Sequence, residues 1–128
     1  MSQIHPLMAK RILIVDDDPD ILEILSLIFK SEGYEVILSA DGEETEHLDF
    51  ILPDLILLDI RLRNRDKNGA IICTMLKSKP GTSHVPVILV SAEKDIRTIA
   101  KGCGANAFIS KPFDLKQISG KVKEFLLT

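Results

Sequence analysis

Short runs of branched apolar residues alternate with longer amphipathic segments along this chain. Five runs are predicted as strands: Ile12–Val15, Tyr34–Leu38, Leu55–Leu58, Pro86–Val90 and Ala107–Ile109. Most contain little polar alternation, which is typical of strands buried on both faces. Strands separated by helices pair in parallel, because antiparallel neighbours would be joined by tight turns. The pattern predicts an α/β fold, a doubly wound five-stranded parallel sheet with helices on both faces.

Capping residues and apolar stripes predict the helices between these strands. Asp18 and Pro19 begin the first helix as N-cap and first helical residue, and Gly33 ends it. A weaker helix is predicted from Gly42 to about Leu52, with Leu52 among its apolar positions. The remaining helices are predicted from about Gly69, with Ile71, Ile72, Met75 and Leu76 on the inside, and over 95–103 and 115–126.

Size and composition are those of one soluble domain over 1–128, with a core at about 9–127. The chain has 128 residues, 45% apolar and 27% charged, and a net charge of −3. That charge and the few aromatic residues argue against a nucleic-acid-binding surface. No apolar run is long enough to cross a membrane, and no secretory signal begins the chain, so a cytoplasmic location with Cys73 and Cys103 as free thiols is expected.

Polar residues follow the predicted strands where a doubly wound sheet binds its ligands. Asp16 and Asp17 follow the first strand, Asp59 the third, Ser91 the fourth and Lys111 the fifth. Each alone has an ordinary explanation, such as a turn, a cap or a solvated cation. Together, three acids repel one another unless a cation neutralises them, and their oxygens suit Mg²⁺. A hydroxyl and an ammonium beside that ion would bind phosphoryl oxygens.

Four segments resemble the signatures of the response-regulator receiver domain of two-component signalling. They are Ile12–Pro19, Leu57–Asp59, Val90–Glu93 and Ile109–Phe113, and their order and spacing agree over about residues 9 to 127. The resemblance implies the flavodoxin-like strand order 2-1-3-4-5. It also implies a domain that accepts a phosphoryl group and switches its protein-binding surface, and that is not an enzyme beyond assisting its own phosphorylation and dephosphorylation.

The resemblance assigns a role to each residue at the ends of the strands. Asp59 would be the phospho-acceptor, and Asp16, Asp17, Asp59 and the backbone carbonyl of Arg61 would hold Mg²⁺. In this interpretation Ser91 is the switch hydroxyl and Lys111 binds the phosphoryl group.

Two further features are implied in the same way. Phe108 falls at the switch aromatic, and the Lys111–Pro112 peptide bond is expected to be cis. The surface expected to change on phosphorylation is that of the fourth helix, fifth strand and fifth helix, including Lys94, Arg97, Lys101 and Phe113.

The implied partners are a sensor histidine kinase or a phosphotransfer protein, with the downstream target and a phosphorylation-dependent dimer left open. No nucleic acid and no membrane are expected to bind this domain. One alternative is a Mg²⁺-dependent phosphatase of the haloacid-dehalogenase type using Asp16, although it would leave Asp59 without a role. A flavin-binding domain of the same topology would need a phosphate loop where three acids stand.

The loop over 61–68 departs from the family pattern. Arg63 occupies the usual proline position, and Gly69 follows the acceptor by ten residues, so the loop is about two residues longer than usual. It carries four cations: Arg61, Arg63, Arg65 and Lys67. One hypothesis is that Arg61 or Arg63 folds over the acidic site when no metal is bound. The other is that the loop recognises a partner.

Overall fold

Five parallel strands form one sheet, in the order β2-β1-β3-β4-β5, in the computed structural model, which describes residues 9–62 and 68–127. This confirms the predicted fold class and strand order. The predicted strand limits hold to within one residue. The strands are β1 (Arg11–Val15), β2 (Glu35–Ser39), β3 (Leu55–Leu58), β4 (Val87–Ser91) and β5 (Ala107–Ser110).

The register aligns the carboxyl ends of the strands along one edge of the sheet. Val15 pairs with Ser39 on one side and with Leu58 on the other, and Ser91 pairs with Ser110. The ladder continues one residue further, because the Asp59 amide donates to the Val15 carbonyl at 2.9 Å. Residues that follow directly after these strands are therefore neighbours in space.

Helices cover both faces of the sheet and bury two aliphatic cores. The helices are α1 (Pro19–Ser31), α2 (Leu48–Ile51), α3 (Gly69–Ser78), α4 (Ile96–Cys103) and α5 (Leu115–Leu126). On one face, Leu25 of α1 and Ile118 of α5 pack with Ile14. On the other face, Leu48 of α2, Ile72 of α3 and Ile96 of α4 pack with residues such as Leu13.

Side chains cap several of the helices as their composition predicts. Asp18 accepts hydrogen bonds from the amides of Asp20 and Ile21 at the start of α1. Asn68 and Asp114 play the same part at α3 and α5. Cys73 and Cys103 are buried free thiols, and burial raises the pKa of Cys73 to about 12. Within the described residues, no helix combines the length and the apolar character that a membrane span needs.

The single helix predicted from Gly42 to Leu52 is wrong in its form. The segment begins as a 3-10 helix over Glu43–His47 and continues as α2, which ends at Ile51. Leu52 follows in the left-handed conformation with φ of 53° and is 65% exposed. Leu52, an apolar position of the predicted helix, is therefore its exposed C-cap and not one of its helical residues.

The buried face of α3 also differs from the prediction. Ile71 is 44% exposed, and the fully buried residues are Ile72, Cys73 and Leu76. The sequence offers apolar residues at 71, 72, 75 and 76, so two neighbouring helical stripes compete. Packing against the sheet selects the stripe that includes Cys73.

At Gly69, α3 packs directly on the backbone of the segment that carries Asp59. A Cβ at this position would lie 2.0 Å from the carbonyl oxygen of Asp59. The Gly69 amide donates to the Ile60 carbonyl at 2.7 Å, which holds the two segments together. The close approach therefore requires glycine and fixes the path of the chain after Asp59.

We predict that Gly69→Ala destabilises the fold by about 2 kcal/mol or more. The new methyl group would clash with the backbone of Asp59, and that backbone cannot move away without disturbing the sheet. Gly120→Ala is the matched control, since nothing lies within 4 Å of its Cβ position in α5. That variant should be stabilised by up to about 1 kcal/mol through helix propensity. Urea denaturation followed by circular dichroism measures both. Equal stabilities for the two variants would contradict the packing argument.

Candidate functional site

Four polar residues predicted from the strand ends converge at the carboxyl edge of the sheet. Asp16, Asp59 and Ser91 are buried there, and Lys111 reaches the same point from the end of β5. A cavity of about 300 Å³ opens above them. Its lining residues are Asp17, Asp59, Arg61, Ser91, Ala92, Glu93 and Lys111. The arrangement forms a small polar pocket that is open to solvent.

The Lys111 ammonium bridges two of the acids. Its Nζ donates to Asp16 Oδ2 at 2.7 Å and to Asp59 Oδ2 at 3.0 Å. These bonds compensate the negative charge that the fold concentrates between β1 and β3. Among the residues that the structure describes, Lys111 is thus the cation that bonds to both acids.

Backbone amides hold the other carboxylate oxygens. Asp16 Oδ1 accepts from the Asp18 amide at 2.9 Å, and Asp59 Oδ1 accepts from the Ile60 amide at 2.7 Å. In each residue, therefore, one oxygen is oriented by the chain and the other points to Lys111. Local turns thus aim Oδ2 of Asp59 towards the bridging ammonium.

Burial and charge shift the pKa of Asp59 and Lys111. Burial raises the pKa of Asp59, the hydrogen bond from Lys111 acts against burial, and the charge of Asp16 adds to it. Burial alone lowers the pKa of Lys111, but the hydrogen bonds to Asp16 and Asp59 and their charges outweigh it and raise that pKa.

Asp16, Asp17 and Asp59 can present one oxygen each within 4.8 Å of one another. Asp16 and Asp59 are buried and Asp17 is half-buried, so the group borders the pocket. Hard oxygen donors with room for water on the open side fit Mg²⁺ or a similar divalent ion. The described residues therefore contain a donor set of the kind that the sequence predicted.

Arg61 lies at the rim of the pocket and pairs with Glu93. Its Nε lies 2.5 Å from Glu93 Oε1, and its side chain is 83% exposed. The hypothesis that Arg61 folds over the acids is therefore wrong for this structure, because Glu93 and Lys111 satisfy the two charges separately. Arg63, the other residue named in that hypothesis, lies outside the described residues.

Ser91 and Phe108, the predicted switch residues, lie on the neighbouring strands β4 and β5. The Ser91 hydroxyl accepts a hydrogen bond from the Glu93 amide at 3.2 Å. Phe108 is half-buried on β5, and the Arg97 guanidinium of α4 lies 5.6 Å from the centre of its ring. The Lys111–Pro112 peptide bond is cis, as expected.

Glu93 is the charged pocket residue to which the sequence analysis assigned no role. It stands two residues after Ser91, and its amide and its carboxylate both bond within the rim. An acid shortly after a strand-end hydroxyl was the available signal. Its pairing with Arg61 could not be predicted from the sequence, because the two residues are 32 positions apart and the contact depends on the paths of two loops.

Comparison with known proteins supports this interpretation. Residues 12–123 match the sequence profile of the response regulator receiver domain. The chain is 33% identical over 119 residues to the DNA-binding response regulator MtrA of Mycolicibacterium smegmatis, covering 91% of this chain and 50% of that protein. It is 35% identical over 119 residues to the dual master transcriptional regulator RpaA of Synechocystis, with 91% and 48% covered. The chain thus spans about half the length of these curated relatives.

The fold of this chain also matches that of a solved structure. The signal receiver domain of a signal transduction histidine kinase from Syntrophus aciditrophicus superposes with a TM-score of 0.83 at 32% identity. The match covers 92% of this chain and 90% of the other. The phosphatase alternative is not favoured, because the match to the receiver domain covers residues 12–123. The chain belongs to the family of response regulator receiver domains.

Proposed function

We propose that this domain accepts a phosphoryl group on Asp59 from a histidine kinase or a phosphotransfer protein, and thereby switches a protein-binding surface. The observation that carries the proposal is the bridge from Lys111 to Asp16 and Asp59 beneath an open polar pocket. A structural ion pair could lie anywhere in the fold, whereas this one borders a cavity that also exposes Asp17 and Ser91.

The transfer itself needs an in-line attack by Asp59. Its Oδ2 would form a bond to phosphorus while the bond from phosphorus to the donor's imidazole nitrogen breaks, and the electron pair returns to the imidazole. Lys111 already contacts this oxygen at 3.0 Å, so its ammonium is placed to follow the charge onto the phosphoryl oxygens. The Ser91 hydroxyl, in the same pocket, would donate to another phosphoryl oxygen.

Asp16, Asp17 and Asp59, with the backbone carbonyl of Arg61, would hold Mg²⁺. When bound, the ion would neutralise charge on the phosphoryl oxygens during transfer. The residues fit such an ion because three carboxylates already lie within reach of one point. Outside the transfer of its own phosphoryl group, the domain would catalyse no reaction.

The output would leave through α4, β5 and α5. Ser91 ends β4, directly before the loop that leads into α4, and Phe108 on β5 contacts Arg97 of that helix. Movement of Ser91 towards a phosphoryl group would therefore change the surroundings of Phe108, of the exposed Lys94 and Lys101, and of the half-buried Phe113.

Any contact with nucleic acid would come from other parts of a longer protein, as the names of the DNA-binding relatives suggest. In this proposal residues 9–127 form one domain. That domain acts in the cytoplasm.

We predict that acetyl phosphate with Mg²⁺ adds one phosphoryl group, and that Asp59→Asn abolishes the addition because the nucleophile is lost. Intact-mass spectrometry with site mapping measures this. Asp49→Asn, an exposed acid in α2, is the control and should behave as wild type. A stable phosphoryl group on Asp16, or one that persists in Asp59→Asn, would overturn the assignment.

Mg²⁺ should stabilise the native state, since an ion that binds only the folded protein acts by mass action. At about ten times its dissociation constant, the expected rise in Tm is about 4 °C. Asp17→Asn should lose this rise because a ligand is removed, while Asp49→Asn should keep it. Thermal melts of the three proteins with and without Mg²⁺ measure this rise in Tm. An unchanged rise in Asp17→Asn would place the ion elsewhere.

Lys111→Met should raise the affinity for Mg²⁺ and lower the rate of phosphorylation. Removing the ammonium leaves the acids without their cation, so Mg²⁺ affinity should rise about threefold or more. Phosphorylation should slow by about tenfold or more, because a contact to the phosphoryl oxygens is lost. Isothermal titration and the rate with acetyl phosphate measure the two effects, with Lys116→Met as the exposed control. Weaker Mg²⁺ binding in Lys111→Met would contradict the charge balance described above.

A further inference from the structure

The chain has two cysteines, and the fold brings them into contact. Cys73 stands in the middle of α3, and Cys103 is the last residue of α4. They are 30 positions apart in the sequence, yet the Cys73 thiol donates to the carbonyl oxygen of Cys103 at 3.5 Å. The two side chains are also hydrogen-bonded to each other. The sulfur atoms are therefore neighbours at the junction of α3 and α4.

The two thiols differ in their access to solvent. Cys73 is fully buried, whereas Cys103 forms part of the wall of a groove of about 310 Å³ between α3 and α4. Most of the groove is lined by apolar side chains, among them Ile71, Met75 and Ile99. Its volume admits a molecule as small as hydrogen peroxide, because a water molecule in the liquid occupies about 30 Å³. A small oxidant that enters the groove would thus meet Cys103 first.

The surroundings of Cys73 keep its thiol protonated. Burial and the hydrogen bond to Cys103 raise the pKa of Cys73 to about 12, and the positive charge of Lys77 acts in the opposite direction. Lys77 stands one helical turn after Cys73, and its ammonium donates to the Val85 carbonyl at 2.7 Å. Because the thiolate is the reactive form of cysteine, Cys73 does not begin a reaction with an oxidant. It can react only after Cys103 has been oxidised beside it.

The end of α4 has room to bring the two sulfur atoms closer together. A disulfide bond is about 2.05 Å long, so the sulfurs must approach each other from hydrogen-bonding distance. Cys103 lies between Gly102 and Gly104, and Gly104 ends the helix in the left-handed conformation with φ of 80°. Nothing lies within 4 Å of the Cβ position of Gly102. The last turn of α4 can therefore move into the groove without a steric clash at Gly102.

We propose that Cys73 and Cys103 form a reversible disulfide bond that joins α3 to α4 and restrains α4, part of the surface through which the output would leave. Disulfides in reducing compartments are transient and act in catalysis or redox sensing. Helix α3 packs on the backbone of Asp59, and α4 contacts Phe108 through Arg97. A bond between these helices would limit the movement of α4 after phosphorylation. The restraint on the output rests on the proposed function, whereas the disulfide itself does not.

Hydrogen peroxide is the simplest oxidant for this reaction. The Cys103 sulfur attacks one peroxide oxygen, the O–O bond breaks, and the other oxygen leaves as hydroxide, which takes up the thiol proton to give water. The Cys73 sulfur then attacks the sulfenic acid sulfur of Cys103, the S–O bond breaks, and hydroxide leaves and takes up the Cys73 proton. The two thiols lose two electrons and two protons, and one peroxide becomes two molecules of water.

Mass spectrometry of the folded domain treated with hydrogen peroxide tests the disulfide. The wild type should lose the mass of two hydrogen atoms and yield a peptide in which Cys73 is linked to Cys103, and dithiothreitol should reverse both changes. Cys73→Ala should instead stop at a sulfenic acid on Cys103, which dimedone traps. Cys103→Ala should be oxidised at least about tenfold more slowly than wild type, because Cys73 is fully buried.

The urea-unfolded wild type is the control for the effect of the fold. If the folded domain keeps both thiols under conditions that oxidise the unfolded chain, the cysteines are ordinary core residues and the proposal is overturned. Cys103→Ala that is oxidised as fast as wild type would also contradict it, since the proposal gives Cys103 the first step. A product that contains only disulfides between two chains would exclude the internal bond.

The restraint on α4 is measured by NMR, as the shifts of amide signals when beryllofluoride and Mg²⁺ are added. In the oxidised domain the signals of α4 and Phe108 should shift by at most about half as much as in the reduced domain, because the bond to α3 holds the helix. Peroxide-treated Cys73→Ala is the matched control and should respond like the reduced wild type, since it lacks the disulfide. Dithiothreitol should restore the full shifts of the oxidised domain.

Two outcomes of the NMR experiment separate the restraint from the proposed function. Equal shifts of α4 in the oxidised and reduced domains would overturn the restraint and leave the proposed function in place. A reduced domain that shows no shift at any residue would overturn the proposed function together with the restraint, whereas the disulfide would still be established by the linked peptide.

Discussion

The rest of the site depends on the balance between one ammonium and the buried carboxylates at the edge of the sheet. Asp16 and Asp59 are buried side by side after adjacent strands, and such a pair is unfavourable unless a cation lies with it. Lys111 supplies that cation from the end of β5, across β3 and β4, through bonds of 2.7 and 3.0 Å. The three strands that bear these residues are thereby joined at the pocket. Any ion or phosphoryl group that binds there therefore changes the balance of charge between this ammonium and the carboxylates.

The fold produces this concentration of charge through its topology. Parallel strands place their carboxyl ends at one edge, and the order β2-β1-β3-β4-β5 sets β1 and β3 next to each other. Local turns then orient the oxygens, since the amides of Asp18 and Ile60 each hold one carboxylate oxygen. Gly69 lets α3 pack against the Asp59 carbonyl, so this helix supports the segment that carries Asp59. Sheet, turns and helix packing therefore act together on Asp59.

The residues that could be predicted from sequence are those whose position follows from the strand ends. Asp16, Asp59 and Lys111 come directly after a strand and Ser91 ends one, so topology alone brings them together. The link between Arg61 and Glu93 could not be predicted, because it depends on the paths of two loops rather than on strand order. Leu52 and Ile71 were misplaced for a related reason. The sequence does not indicate whether an apolar side chain at a helix end, or between two apolar stripes of a helix, will be buried or exposed.

The most direct test of this account is a crystal structure of the domain with Mg²⁺ and beryllofluoride, which mimics a phosphoryl group. The account predicts beryllium bonded to an Asp59 oxygen, Lys111 in contact with a fluorine, and a metal ion between Asp17 and Asp59. It also predicts that the bridge from Lys111 to Asp59 Oδ2 is replaced by contacts to the adduct. A fluoride adduct on another residue, or an unchanged Lys111 bridge with saturating beryllofluoride, would contradict the claim that Asp59 is the phosphoryl acceptor.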